Sequence, residues 1–188
     1  MEEYSSLSPR DLDLDYEDSP VRVVILSSLQ EISVGGTSVG PLEEGKELET
    51  KYWIAEELVK AGYAHFREED VLTYPTLNKL HWRETKLSPG LQISPLPEYF
   101  YPKLRRYLSA AREKSSKEPT AASQYLQADR LAQDIINCRL RKIVSLAAIP
   151  TKSTSTVQAL SKEERAVFEK VRYTVMDWEN KILDLEKK

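Results

Sequence analysis

The sequence predicts an α+β protein, with a small N-terminal β-rich domain followed by a larger all-α helical bundle domain. Three observations carry that prediction. Val21-Arg22-Val23-Val24-Ile25-Leu26 is a β-rich run, followed by glycine-containing turns as far as Phe66. From Pro75 onward, apolar residues recur mostly at helical spacing. Breakers such as Gly40-Pro41, Gly62, Ser88-Pro89-Gly90, Pro119 and Pro150 fall between those segments. The expected organisation is an acidic disordered tail over residues 1–20, a β-rich domain over 21–68 and an α-helical domain over 69–188.

The tail is assigned on charge. Residues 1–20 hold seven acids and one base. Asp11-Leu12-Asp13-Leu14-Asp15-Tyr16 joins repelling carboxylates to too little apolar surface to offset the entropy of ordering. The alternation of Leu and Tyr with Asp also fits a short docking peptide. After Pro20, Val21 to Leu26 reads as a mostly buried strand. Gly35-Gly36, after Ile32-Ser33-Val34, sits where a hairpin turn needs positive φ, so a second short strand follows. Glu47 to Thr50 reads as extended, and Tyr52 to Ala61 as a helix stopped by Gly62. A β-rich unit of roughly 45 residues leans on a neighbour for stability.

In the helical half, Pro75 starts a helix with Leu77, Leu80 and His81 on one face. The next begins between Glu98 and Pro102, because proline is tolerated only in the first turn; Leu104, Tyr107, Leu108 and Ala111 follow. A polar break is expected at Ser115-Ser116-Lys117-Glu118-Pro119. Thr120 to Ile149 is the longest helix, and its apolar residues cover more than half its circumference, as expected at the centre of a bundle. A Ser- and Thr-rich loop over Thr151–Thr156 leads to a capping box, Ser161 with Glu164. Val167, Val171, Val175, Trp178, Ile182 and Leu185 then form a helix seam. That seam either closes the protein's own bundle or lies partly against a partner.

Composition narrows the function classes. The 188 residues are 40% hydrophobic and 30% charged, and no run approaches the ~18 apolar residues of a membrane span. The acidic N-terminus is unlike a signal or transit peptide, so a soluble intracellular protein is expected. A single cysteine, Cys138, excludes an internal disulfide and any multi-cysteine metal site, and reads as a small core residue. His65 and His81 have no companion at ligand spacing.

Gly40-Pro41-Leu42-Glu43-Glu44-Gly45-Lys46-Glu47 nearly matches a phosphate-binding loop. Three carboxylates and a proline without an N–H stand where that loop needs donors and a hydroxyl, so a turn is the better reading. Glu56-Glu57 and Glu68-Glu69-Asp70 are adjacent acids that do not converge on a cation. No nucleophile constellation is recognisable. No cofactor, no metal and no catalysis are expected.

Net charge is −3 overall but +6 over residues 99–150. Arg105, Arg106, Arg112, Arg139, Arg141 and Lys142 therefore form a candidate basic contact surface. Tyr99, Tyr101 and Tyr107 recur at helix-core spacing more than as a stacking platform. DNA contact is expected to be weak or indirect, and salt bridging to an acidic partner or to the acidic tail is favoured. Tyr99, Phe100, Leu104, Val171, Val175, Trp178 and Ile182 are the candidate partner interface.

The early strand, Gly40-Pro41-Leu42, Trp53-Ile54-Ala55, the Leu96-Pro97-Glu98-Tyr99-Phe100 entry with Leu104, and Arg139, Lys142 and Ile143 occur in an order that resembles the GINS family of replication-fork proteins. The resemblance spans roughly residues 21–146 and points to the subunit class whose β domain precedes its α domain. The acidic extension before Val21 and the Pro102-interrupted helix depart from that pattern. The resemblance implies a non-catalytic scaffold in a heterotetramer with the complementary GINS subunit, joining the MCM helicase to a RecJ-like factor, activating unwinding and contacting primase or polymerase. The short chain resembles the archaeal form, in which one gene product serves twice in a two-plus-two assembly. That implies a cytoplasmic, nucleoid-associated protein, or a nuclear one in a eukaryote. An unrelated helical adaptor and a weak nucleic-acid-binding protein using the basic middle helices are the alternatives.

Overall fold

A computed structural model describes residues 9–87, 90–149 and 157–184. The chain divides into two compact units, one of Arg10–Thr73 and one that begins at Tyr74. It is an α+β chain with its strands between residues 20 and 66 and a larger helical region after them.

In the first unit, α1 (Pro9–Glu17) precedes β1 (Pro20–Ile25), β2 (Ile32–Val34), β3 (Thr37–Val39), β4 (Glu47–Lys51), α2 (Tyr52–Lys60) and β5 (Ala64–Phe66). β1 is the centre of an antiparallel sheet, order β4-β1-β5, with Val23 opposite Leu48 on one side and Phe66 on the other. Val21, Val23 and Ile25 alternate into the core. α2 packs on β1, β4 and β5 and buries Tyr52, Ile54, Ala55 and Leu58. β2 and β3 form a separate hairpin. Its turn residues Gly35 and Gly36 have φ of 55° and 83°, as a two-residue turn of this hand requires. A Cβ on Gly35 would stand 2.7 Å from the Trp53 ring, so that position admits only glycine without a shift. β5 had no signal of its own in the sequence.

The expected disordered tail is corrected where the structure describes it. Residues 9–17 are helical, and Leu12 and Tyr16 are buried. The Leu–Asp alternation hides a helical i,i+4 pair: Leu12 and Tyr16 face inward while Leu14 stays exposed. The Tyr16 ring lies 4.4 Å from that of Tyr52, which stacks in turn on Phe66 at 5.3 Å. The tail's first eight residues lie outside the described residues.

The second unit comprises α3 (Tyr74–Trp82), a π-helical segment (Arg83–Leu87), α4 (Phe100–Lys117), α5 (Pro119–Ala147) and α6 (Lys162–Asp184). α5 packs on all the others and is the axis of the bundle. The expected polar break is narrower than the composition suggested. Ser115, Ser116 and Lys117 remain helical, and only Glu118, extended at φ −127°, separates α4 from α5. Pro119 is the cause: it pushes the preceding residue out of the helical region and then serves as the first helical residue. The Thr151–Thr156 loop and Leu185 lie outside the described residues, as do Ser88 and Pro89.

Residues 139, 143 and 149 meet residues 164, 168 and 172 in turn. Arg139 bonds Glu164, Ile143 shares a core cluster with Phe168, and Arg172 donates to the Ile149 carbonyl at 3.3 Å. α5 and α6 therefore advance in the same direction. α5 stops at Ala147, and α6 continues beyond Arg172 for about three turns with no α5 beside it.

Candidate partner interface

The inward face of α5 is Ala128, Ala132, Ile135, Arg139, Lys142 and Ile143, spaced 4, 3, 4, 3 and 1. Two cations thus occupy heptad-like core positions. Arg139 is 0% exposed and Lys142 is 7% exposed. Burying them requires compensating charge, and two carboxylates supply it. Arg139 Nε and Nη2 donate to Glu164 at 2.5 and 2.8 Å in a bidentate pair, and Nη1 donates to Glu84 at 2.9 Å and to the Ser94 carbonyl at 2.8 Å. Lys142 Nζ donates to the Glu84 carboxylate at 2.7 Å and to its backbone carbonyl at 3.2 Å. Tyr101 donates to Glu164 at 2.7 Å.

The network ties the π-helical segment, α4, α5 and the first turn of α6 at one point. Glu84 reaches it from the π-helical segment, a register change that sequence reading missed. Glu164 reaches it from the capping box, which forms as expected: Ser161 N donates to the Glu164 carboxylate at 3.0 Å, and Glu164 N to the Ser161 hydroxyl at 3.3 Å. Burial alone would lower the pKa of Arg139, but the hydrogen bonds and charge of Glu164, with Glu84 behind it, raise it above its usual range. Burial first, then the Glu164 charge, raises that of Tyr101. Buried N and O atoms of the described side chains all have partners. The arrangement orders the bundle.

Two predicted site residues are therefore corrected: Arg139 and Lys142 are not part of a basic surface, because α5's inward face carries them into this network. Their positions in the apolar heptad register were the available signal. Arg105, Arg112 and Arg141 are exposed and Arg106 is half-buried, so the rest of the basic set lies nearer solvent.

The candidate interface residues also divide. Phe100 and Leu104, one helical turn apart, face inward and are buried in the chain's own core, which withdraws them from partner contact. Tyr99 is half-buried at φ 53°, with the Lys162 ammonium 6.0 Å from its ring centre. Val171 packs on the cluster of Ile143, Ala147 and Phe168, and Val175 is half-buried. Trp178 and Ile182 are 62% and 50% exposed, beyond the end of α5. Tyr173, Met176 and Leu183 are exposed on the same stretch.

Sequence reading missed a second exposed apolar area. Ile136, Leu140 and Val144 line the outward side of α5. Ile136, Leu140, Ile143 and Val167 wall a groove of about 250 Å³ whose lining includes Tyr101 and Glu164 of the ion network. Exposed Arg105 and half-buried Glu163 complete it. That volume is below the roughly 300–1,000 Å³ of small-molecule pockets and matches the scale of one large side chain.

Among the described residues, no group of three or more His, Cys, Asp or Glu is placed to hold a metal ion, and no helix is long and apolar enough to cross a membrane. The phosphate-loop-like string is a turn before β4, with Lys46 paired to Glu43 at 2.6 Å.

A comparison with curated proteins finds no match. The family model described as Sld5, GINS complex protein helical bundle domain, matches residues 53–183, from the start of α2 to the end of α6. The bundle centred on α5 and a match over more than half the chain agree: this chain belongs to the GINS family, whose members are subunits of the GINS complex of DNA replication.

Proposed function

We infer that this GINS subunit works by contact, as a scaffold that assembles with the complementary GINS subunit and activates the replicative MCM helicase at the fork. One observation carries the reading: the outer half of α6 exposes Trp178, Ile182 and Leu183 together. A contiguous exposed apolar patch of this kind marks a protein-interaction surface. The β-before-α order supports the subunit class in which the small domain comes first, and in this reading the assembly is archaeal-like, two-plus-two and acts at the nucleoid. In this reading, Arg105, Arg106, Arg112 and Arg141 meet an acidic surface of the helicase, a RecJ-like factor or a primase or polymerase subunit, and DNA contact is weak or indirect.

The test is co-purification followed by a helicase assay. Complex formed with the complementary subunit should stimulate the cognate MCM helicase while hydrolysing neither ATP nor DNA by itself. A monomer that ignores that subunit contradicts the reading. Hydrolysis abolished by Lys46→Ala in a folded protein would contradict it equally.

A further inference from the structure

The outward side of α3 combines an exposed aromatic ring with unopposed positive charge. Between Tyr74 and Leu87 the sequence sets Lys79, Arg83 and Lys86 against one acid, Glu84. That acid is buried, and Arg139 and Lys142 hold its carboxylate inside the bundle. Lys79 and Lys86 are exposed and meet no carboxylate among the described residues. Arg83 is half-buried and donates to the Pro95 carbonyl at 2.9 Å, a neutral partner that leaves its charge unopposed. His81 meets Asp134 of α5 at 3.4 Å, on a side of α3 about 100° round from Trp82.

Trp82 lies between the two lysines and is 54% exposed, with no ring or hydrogen-bond partner among the described residues. Lys79 precedes it by three residues and Lys86 follows it by four, close to one turn either way, so the three side chains share a face. The π-helical segment keeps that register: its wider turn carries Glu84 inward and still returns Lys86 to the side of Trp82.

A flat ring with an ammonium group on each side matches one nucleotide of a single strand, whose base offers a π-face and whose sugar is flanked by two phosphates. A protein partner fits this face less well. Lysine is depleted at protein interfaces, and an aromatic anchor there is ringed by contacts that exclude water, whereas Asn78, Lys79 and Lys86 surround this one.

We propose that this face of α3 is a contact site for single-stranded DNA, with one base stacked on Trp82 and its flanking phosphates paired to Lys79 and Lys86. The site uses neither the α6 patch nor the basic set on α4 and α5, and it goes beyond the scaffold reading without depending on it.

The test titrates a fluorescein-labelled oligo(dT) with the full chain, alone and in complex with the complementary subunit, and follows anisotropy across a salt series. Binding at about 1–100 µM near physiological salt is expected, with a log–log salt slope of about −1.4 to −2.1 for two or three phosphates. Trp82→Ala should weaken binding about tenfold and leave that slope unchanged, whereas Trp82→Phe, which keeps a ring, should retain most of the affinity. Lys79→Ala and Lys86→Ala should each reduce the slope by about 0.7 in magnitude. All four variants should fold and assemble as the wild type does, because the substituted side chains are exposed. Absence of oligo(dT) binding at low salt overturns the proposal. Wild-type affinity in Trp82→Ala overturns it too, by moving the DNA contact to other basic residues. Loss of the wild-type complex in Trp82→Ala would put the ring in a protein interface and overturn it equally. Tighter binding of a polyglutamate peptide than of oligo(dT), or tenfold tighter binding of oligo(rU), would assign the face to another partner and overturn it as well.

Discussion

The two halves of α6 use similar residues to opposite ends. Between Glu164 and Val171, the helix buries Phe168 and anchors a bidentate ion pair. Between Tyr173 and Leu183, it presents Tyr173, Met176, Trp178, Ile182 and Leu183 to solvent. The apolar seam runs through both halves without a change of period. The neighbouring element changes: α5 ends at Ala147, level with the middle of α6. Periodicity fixes which face a helix offers, and the length of its neighbour decides whether its own chain covers that face.

Substitutions can break this comparison, and the largest effect belongs to the inner half. Arg139→Ala strands Glu164 and part of Glu84 without their buried cation and should cost about 3–5 kcal/mol. Phe168→Ala should cost a similar ~3–5 kcal/mol through lost burial and a cavity. Chemical denaturation of the single chain measures both. Trp178→Ala, about two helix turns beyond Val171's end of the core, should stay within about 0.5 kcal/mol in the same measurement, as exposed positions do. Equal losses at Phe168 and Trp178 would mean that the chain itself covers both halves.

Next in size is α1. Leu12→Ala should destabilise the first unit by about 2–5 kcal/mol, whereas Leu14→Ala should change little. Equal, negligible effects at the two positions would return α1 to the status of a tail.

A smaller effect sharpens the account of the ion network. Tyr101→Phe removes a hydrogen bond to a charged group, worth about 1.5–3 kcal/mol. Because the native hydroxyl keeps its proton above the usual tyrosine range, the wild-type contribution is complete below about pH 10. It is lost progressively above that, where the unfolded chain releases the proton and the native state does not. The difference in melting temperature between wild type and Tyr101→Phe should therefore shrink from pH 9 to pH 11, about one unit either side of the free tyrosine value. A constant difference would place the hydroxyl outside the network.

Smallest of all for stability is charge reversal at Arg105 and Arg112, expected to stay within about 0.5 kcal/mol. Its effect should appear in helicase stimulation by the assembled complex. Undiminished stimulation would remove these residues from the contact surface.

Local chemistry made much of the fold legible. The β1 run, the Gly35-Gly36 turn, the Gly62 stop after α2 and the Ser161–Glu164 capping box each encode structure within a few residues, and each forms. Features set by distant partners were not legible. Arg139 and Lys142 look like surface cations until Glu84 and Glu164 arrive from other elements. Glu84 does so through a π-helical segment with no marker in composition. Leu12 and Tyr16 were lost in an acidic background because their anchor, Tyr52, lies 36 residues further on. The exposed end of α6 was legible as a seam, but its cover was not, since that depends on where α5 ends.

The central claim is that the outer half of α6 belongs to the assembly and not to the fold of the single chain. The most direct test measures Ile182→Asp twice, for thermal stability of the single chain and for native mass after co-expression with the complementary GINS subunit. We predict a melting temperature close to wild type and loss of the wild-type complex mass. A sharply lowered melting temperature, or an Ile182→Asp complex of full mass, would contradict the claim.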